Sequence, residues 1–314
     1  MKLVGESPVF LAATGALARM ARFDVPILIE GETGTGKELA ARVVHYQSAR
    51  GHRPFIPVNC GALPEALVEN ELFGHERGAY TDARESMPGV IALAEGGTLF
   101  LDEIDALSAK AQVALLRFLQ DQRYRPLGAH GERRADVRIV AAANRNLEQL
   151  VERGDFRSDL FFRIKILFVT LPPLRLRVGD ATLLAEHFLE ECTRRFRQPR
   201  KRLGRQMELW LETYHWPGNV RELESLIVRE CLMTEGSTLG RPLCDDTVSP
   251  EPPATSYAAA KAAAVADFDR RFLRALLTRA SGNVTKAAAE AGKDRRALGR
   301  LVKKYGLRSR DFRS

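Results

Sequence analysis

The run Gly31-Glu32-Thr33-Gly34-Thr35-Gly36-Lys37 constrains this 314-residue chain more than any other stretch. It reads G-x-x-x-x-G-K, and it lies between the apolar run Val25 to Glu30 and the helical pattern KELAARVVHYQSA. Glycines at these positions allow successive amides and a helix N-terminus to face one point, which suits phosphate oxygens. Lys37 then reaches the β and γ groups of a nucleoside triphosphate. Gly31, Glu32, Thr33, Gly34, Thr35, Gly36, Lys37 and Glu38 are read as the phosphate-binding set. Glu38 stands where the general pattern has Ser or Thr, so the usual hydroxyl ligand of Mg²⁺ is missing. The metal must then be held by other groups, by water and by the triphosphate.

Four further apolar, β-branched runs (PFIPVN, GTLFLDE, VRIVAAA, IKILFVTL) alternate with helical stretches such as SAKAQVALLRFLQD. That order predicts an α/β class with a parallel sheet flanked by helices. Thr98 to Glu103 ends in two adjacent carboxylates, at the strand end where open parallel sheets bind ligands. Asp102 is read as the Mg²⁺ ligand and Glu103 as the group that polarises the attacking water. Asn144 ends a later strand beside them. After Pro172 and Pro173 the strand patterns stop, and residues 180 to 236 carry helical periodicity alone, which predicts a small all-α domain. Residues 241–256 hold four prolines and read as a linker. The expected division is therefore 1–171, 172–240, the linker 241–256, and a helical segment 257–314.

Taken together, GETGTGKELAARVVH, VNCGAL, ELFGHERGAYTDA, GGTLFLDEID, VRIVAAANRNLEQL, FRSDLFFRI, LPPLR and WPGNVRELE stand in one order. The chain resembles, over nearly its whole length, the central AAA+ domain of bacterial enhancer-binding proteins, which activate RNA polymerase carrying sigma-54. The resemblance implies a P-loop AAA+ ATPase with an all-α lid, using ATP and Mg²⁺. It implies that Asn59 is a polar switch holding Glu103 until the γ-phosphate is sensed, that Asn144 is the first sensor, and that Arg221 is the second. Arg157 and Arg163 fall on arginine-finger positions that reach a neighbouring subunit's site, so a homo-oligomer is implied, from dimer to hexameric ring. Gly78, Ala79, Tyr80, Thr81, Asp82 and Ala83 match the loop that contacts sigma factor. The family pattern there is GAFTGA, so this chain keeps an aromatic as Tyr80 and carries a charge at Asp82 where a glycine is usual. Ala143 replaces a usual Thr, and Leu176 a usual Glu.

The net charge is +8, and its location matters more than its size. Residues 257–314 hold 15 Lys and Arg against 5 Asp and Glu, so the entire excess sits where it can neutralise phosphates. Apolar residues at helical spacing, a Gly-containing turn and GNVTKAAAEAG followed by RRALGRLVKKYGL predict a helix-turn-helix and resemble the Fis-like domain of the same family. Thr285, Arg295, Arg296, Arg300, Lys303 and Lys304 are the expected contacts to double-stranded DNA.

The four cysteines are too widely spaced for a zinc site or a disulfide framework and read as reduced thiols. The sequence has no run of eighteen apolar residues and no signal-peptide pattern at its start, so a cytoplasmic protein without a membrane partner is expected. The chain opens directly on the ATPase motifs, which places control in a separate regulatory protein, as in two-component-like systems, or in a domain absent from this chain. Two readings of function stand side by side. One is an ATP-driven, DNA-bound activator of sigma-54 polymerase. The other, favoured by the altered loop, is a DNA-binding regulator acting without sigma-54, whose ATPase serves oligomerisation or signalling. An unfoldase or remodelling ATPase is disfavoured by the Fis-like tail.

Overall fold

The computed structural model describes residues 3–64, 67–80, 83–240, 273, 276, 280, 283–291, 294 and 298–299. The chain divides into two compact units, Met1–Cys244 and Asp245–Ser314.

The first unit is built on five parallel strands, β1 (Ile27–Glu30), β2 (Phe55–Asn59), β3 (Thr98–Asp102), β4 (Arg138–Ala143) and β5 (Leu167–Thr170). Their order across the sheet is β2-β3-β4-β1-β5. Each of the five apolar runs read from the sequence forms one strand. Alternation along the strands divides the core. Ile27, Ile29, Phe100, Val140 and Ala142 face α1 (Pro8–Met20) and α2 (Lys37–Tyr46). Leu28, Leu99, Leu101, Ile139 and Ala141 face the other layer. That layer is α3 (Val68–Phe73), α4 (Val90–Leu93), α5 (Ala109–Asp121), α6 (Leu147–Arg153) and α7 (Ser158–Ile164). With both faces covered, the interiors of the central strands β1, β3 and β4 are apolar, while the edge strands β2 and β5 are partly exposed. The buried Arg138 donates to Met20 O and Ala21 O, both at 3.2 Å, and so ties the C-terminal end of α1 to the sheet.

Register places the functional ends together. Glu30 pairs with Ala143, Asn59 with Asp102, and Leu101 with Ala141. The phosphate loop, the carboxylate pair and Asn144 therefore emerge at one edge of the sheet, beside the crevice that parallel sheets offer where strand order reverses.

A smaller core follows, formed by α8 (Asp180–Phe196), α9 (Arg205–Thr213) and α10 (Asn219–Met233) around Trp216, Leu184, Leu211, Leu223 and Ile227. Trp216 is fully buried and donates to Leu211 O at 2.9 Å. The lid is helical, as expected, with one short strand pair beside its helices. Arg202–Leu203 pairs in parallel with Thr238–Leu239, because the ends flanking these helices lie side by side and their backbone groups need partners. Among the described residues of the second unit, α11 (Val284–Glu290) is capped by Asn283, whose Oδ1 accepts from Thr285 N at 3.0 Å and Lys286 N at 3.2 Å. Leu273, Leu276, Ala280, Ala287, Ala288 and Leu298 form its core.

Candidate nucleotide-binding site

Two glycines fix the loop between β1 and α2. Gly36 has φ +95° and serves as the N-cap of α2, so a side chain there would be strained. Gly34 has φ +80°, and a Cβ on it would meet Gly218 O at 2.2 Å. Lys37 is buried, and its Nζ donates to Gly31 O at 2.8 Å, Glu32 O at 3.0 Å and Asn144 Oδ1 at 2.6 Å. Burial lowers its pKa below the ordinary lysine value, and the nearby Asp102, Asp105 and Glu103 offset part of that shift.

Asp102 and Glu103 stand opposite the loop at the end of β3. Burial raises the Asp102 pKa above the ordinary carboxylate value, although the Glu103 amide donates to its Oδ1 at 3.0 Å. This is a poorly solvated anion that a cation would relieve, which is the fit a Mg²⁺ ligand requires. Glu103 sits at φ +54°, a left-handed conformation costly for a non-glycine residue and found preferentially at functional positions. Asn144 Nδ2 donates to its Oε1 at 3.2 Å, while Asn144 N donates to Asp105 Oδ1 at 3.0 Å. Asp105 is the carboxylate that sequence reasoning missed. It lies two residues past the pair in LDEID and also meets Arg145 at 3.3 Å.

Asn59, the expected polar switch, is placed beside this cluster at the end of β2. Its Oδ1 accepts from Gly61 N at 2.8 Å and Ala62 N at 3.2 Å, capping a short turn, and the hydrogen bond to Glu103 comes from Asn144. Glu38 is exposed and pairs with Arg42 at 2.7 Å along α2. Thr35 Oγ1 donates to Glu32 O at 2.8 Å.

A cavity of about 520 Å³ is lined by Lys37, Asp102, Glu103 and Asn144 and, from the lid, by Arg221 and His187. Its size and its pairing of a desolvated cation with carboxylates suit a nucleoside triphosphate and a divalent metal. Residues 3–170 match the sigma-54 interaction domain family, and residues 175–261 match the AAA+ ATPase lid domain.

This chain belongs to the sigma-54 activator family of AAA+ ATPases.

The match favours the sigma-54 reading over the alternative without it. This family member is 39% identical over 312 residues to the transcriptional regulatory protein GlrR of Escherichia coli, covering 99% of this chain and 69% of GlrR. It is 42% identical over 297 residues to the hydrogenase transcriptional regulatory protein HoxA of Bradyrhizobium diazoefficiens, covering 92% of this chain and 61% of HoxA. Among solved structures, NtrX from Brucella abortus in complex with ATP superposes with a TM-score of 0.72 at 32% identity, over 98% of this chain and 70% of NtrX.

The activator's two expected arginine fingers lie outside the lining of its own nucleotide cavity. Arg157, at the start of α7, is exposed and bidentate with Asp159 at 3.0 and 2.7 Å. Arg163, at the other end of α7, donates to Leu119 O at 3.2 Å and Gln120 O at 3.3 Å. The expected sigma-factor loop leaves α3 at Gly74, where Gly74–His75 pairs with Met87–Pro88. Gly78 N donates to Ala83 O at 2.8 Å, and the exposed Tyr80 ring lies 5.1 Å from that of His75. Thr81 and Asp82 lie outside the described residues, as do Arg295, Arg296, Arg300, Lys303 and Lys304. Thr285 is exposed on the first turn of α11. No described helix is long and apolar enough to cross a membrane.

Proposed function

We propose that the chain assembles into a ring on double-stranded DNA and uses ATP hydrolysis to remodel sigma-54 RNA polymerase for promoter opening. The observation that carries this reading is a cavity holding Lys37, Asp102, Glu103 and Asn144 with neither Arg157 nor Arg163 in its lining. A site that has Arg221 from the lid but neither of the two finger arginines fits one finished by a neighbouring subunit.

In this account Lys37 leaves its carbonyl partners to meet the β and γ phosphates, and the loop amides take the remaining oxygens. Asp102 would hold Mg²⁺ with water, and the metal when bound would supply neutralisation of the phosphate charge. Glu103 orients and polarises the attacking water, with Asn144 setting its carboxylate. Arg157 and Arg163 of one subunit approach the γ-phosphate bound to the next, and Arg221 reports nucleotide state from the lid. Tyr80, on the rim of the loop from Gly78 to Ala83, offers its ring to sigma-54. The capped α11 and its apolar core support a helix-turn-helix with Thr285 toward phosphate. Hexamer size, cytoplasmic location and control by a separate regulatory protein belong to the same reading.

The shared site is tested by mixing subunits. Glu103→Gln and Arg163→Ala chains are each expected to be inactive alone, and mixed rings are expected to regain ATPase activity at interfaces that pair an intact cavity with an intact finger. Mixtures as inactive as either parent would contradict a site completed in trans.

A further inference from the structure

We propose that Glu32, Arg175 and Asn219 form a clasp that positions the phosphate loop and the second sensor, Arg221, as one unit. The motifs LPPLR and WPGN would then serve nucleotide binding through it. The proposal deepens the ATPase reading above and rests on Arg221 reporting nucleotide state.

Glu32 is the second residue of the phosphate loop. Both its oxygens are taken by Arg175, with Nη1 to Oε2 at 2.7 Å and Nη2 to Oε1 at 2.5 Å, a fork that fixes the carboxylate plane. Arg175 follows the prolines that join the sheet domain to the lid. Asn219 closes the third side. It is fully buried at φ +52°, a left-handed conformation that Asn tolerates better than most residues. Its Nδ2 donates to Glu32 Oε2 at 3.2 Å and to Thr33 O at 3.0 Å, and its Oδ1 accepts from Leu174 N at 2.8 Å. One carboxamide thus touches the phosphate loop, its carboxylate and the joining segment. The next residue, Val220, donates its amide to Gly34 O at 3.0 Å, and the Arg221 side chain starts against Gly34.

The geometry has a direct consequence for ligand binding. Thr33 and Gly34 cannot change conformation without moving Asn219, and Asn219 begins the helix that carries Arg221 two residues later. A phosphate that orders the loop therefore also sets the lid, and a displaced lid loosens the loop. The Glu32 pKa is held below the usual carboxylate value, with the Arg175 hydrogen bonds as the largest cause. These residues hold the cradle and leave the phosphates to other groups, so they are positioning residues.

The test is a double-substitution cycle on the full chain, with Glu32→Gln, Arg175→Gln and the pair, measuring kcat, KM for ATP and the Kd of a fluorescent ADP analogue. Each single change is expected to raise KM and Kd about tenfold, the size of a typical coupling between linked sites, with a smaller change in kcat. The double variant is expected to match one single, because both break the same link. Melting temperature is expected to stay near the parent's, since the pair is partly exposed and such pairs add little stability. Asn219→Asp, which sets a second carboxylate against Glu32, is expected to weaken nucleotide binding further, and Glu32→Gln in the same chain to restore part of it. Unchanged KM, multiplicative effects, or no rescue of Asn219→Asp would overturn the clasp. A parent chain that binds the ADP analogue no better than Lys37→Ala would instead defeat the ATP-site reading itself.

Discussion

Asn144 joins Lys37 to Glu103: its Oδ1 accepts from Lys37 Nζ at 2.6 Å and its Nδ2 donates to Glu103 Oε1 at 3.2 Å. A single carboxamide therefore links the phosphate-binding lysine to the carboxylate expected to act on water. When phosphates draw Lys37 away, Asn144 is free to reorient, and Glu103 with it. Asn59 Oδ1 accepts from two backbone amides and caps a short turn. Asn144→Asp, which loses the donor, is expected to lower kcat about 10- to 100-fold, within the range for mispositioned acid–base groups. Asn59→Ala is expected to change kcat less and to cost about 1 kcal/mol of stability through its lost cap. Steady-state kinetics decide this, and a larger kcat loss in Asn59→Ala would contradict it.

The buried Lys37 gives the site an alkaline limit. Burial lowers its pKa, so the proton leaves below the ordinary 10.5, and ATP affinity falls at a lower pH than for an exposed lysine. In the window between the lowered value and 10.5 the unfolded chain binds more protons, so this group makes the nucleotide-free protein more stable as pH rises. The Kd for ATP, measured from about pH 7 to about pH 10, is expected to rise toward the alkaline end. Lys37→Arg is expected to bind more weakly throughout but with a flatter profile. A flat profile in the parent would contradict the assignment.

Trp216 anchors the lid. It is 1% exposed and meets Trp210 and Tyr214 edge-on at 5.5 and 5.0 Å between ring centroids. Trp216→Ala is expected to destabilise the lid by about 3–5 kcal/mol, as large-to-small changes in a closed core do. Thermal or urea unfolding measures it, and a loss below about 1 kcal/mol would mean that the lid core repacks freely.

Cys60, Cys192 and Cys231 are buried and free. Burial, with nearby carboxylates for Cys60 and the neighbouring Cys231 for Cys192, pushes the first two thiols up to about 12. Iodoacetamide at about pH 8 is expected to leave these three unmodified in the folded chain and to label them in urea. Labelling of Cys60 in the native protein would show that the turn after β2 opens readily.

Much of the site was legible because it is local. The phosphate loop, the carboxylates at 102 and 103 and Asn144 each sit at the end of an apolar run, and register brings those ends to one sheet edge. The clasp was not legible, since Glu32 lies 143 positions from Arg175 and 187 from Asn219, and each reads only as a member of its own motif, the phosphate loop, LPPLR or WPGNVRELE. Helix α1 precedes the first strand and carries a Gly among its small residues, which masks its periodicity. The two-residue strands before α9 and after α10 were too short to leave an alternating pattern. What Asn59 bonds depends on which backbone amides lie nearby, and what Asn144 bonds on the side chains that α2 and β3 bring to it, neither of which spacing reveals.

Hydrolysis at Glu103 is expected to drive sigma-54 polymerase to open a promoter. ATP-dependent open-complex formation with purified sigma-54 polymerase tests it directly, comparing the parent chain, Glu103→Ala and Asp82→Gly. Opening by the parent and by Asp82→Gly, with none from Glu103→Ala, is the predicted result. Opening by Asp82→Gly alone, or by none of the three while ATP is still hydrolysed by the parent, would contradict it and turn attention to a DNA-bound output without sigma-54.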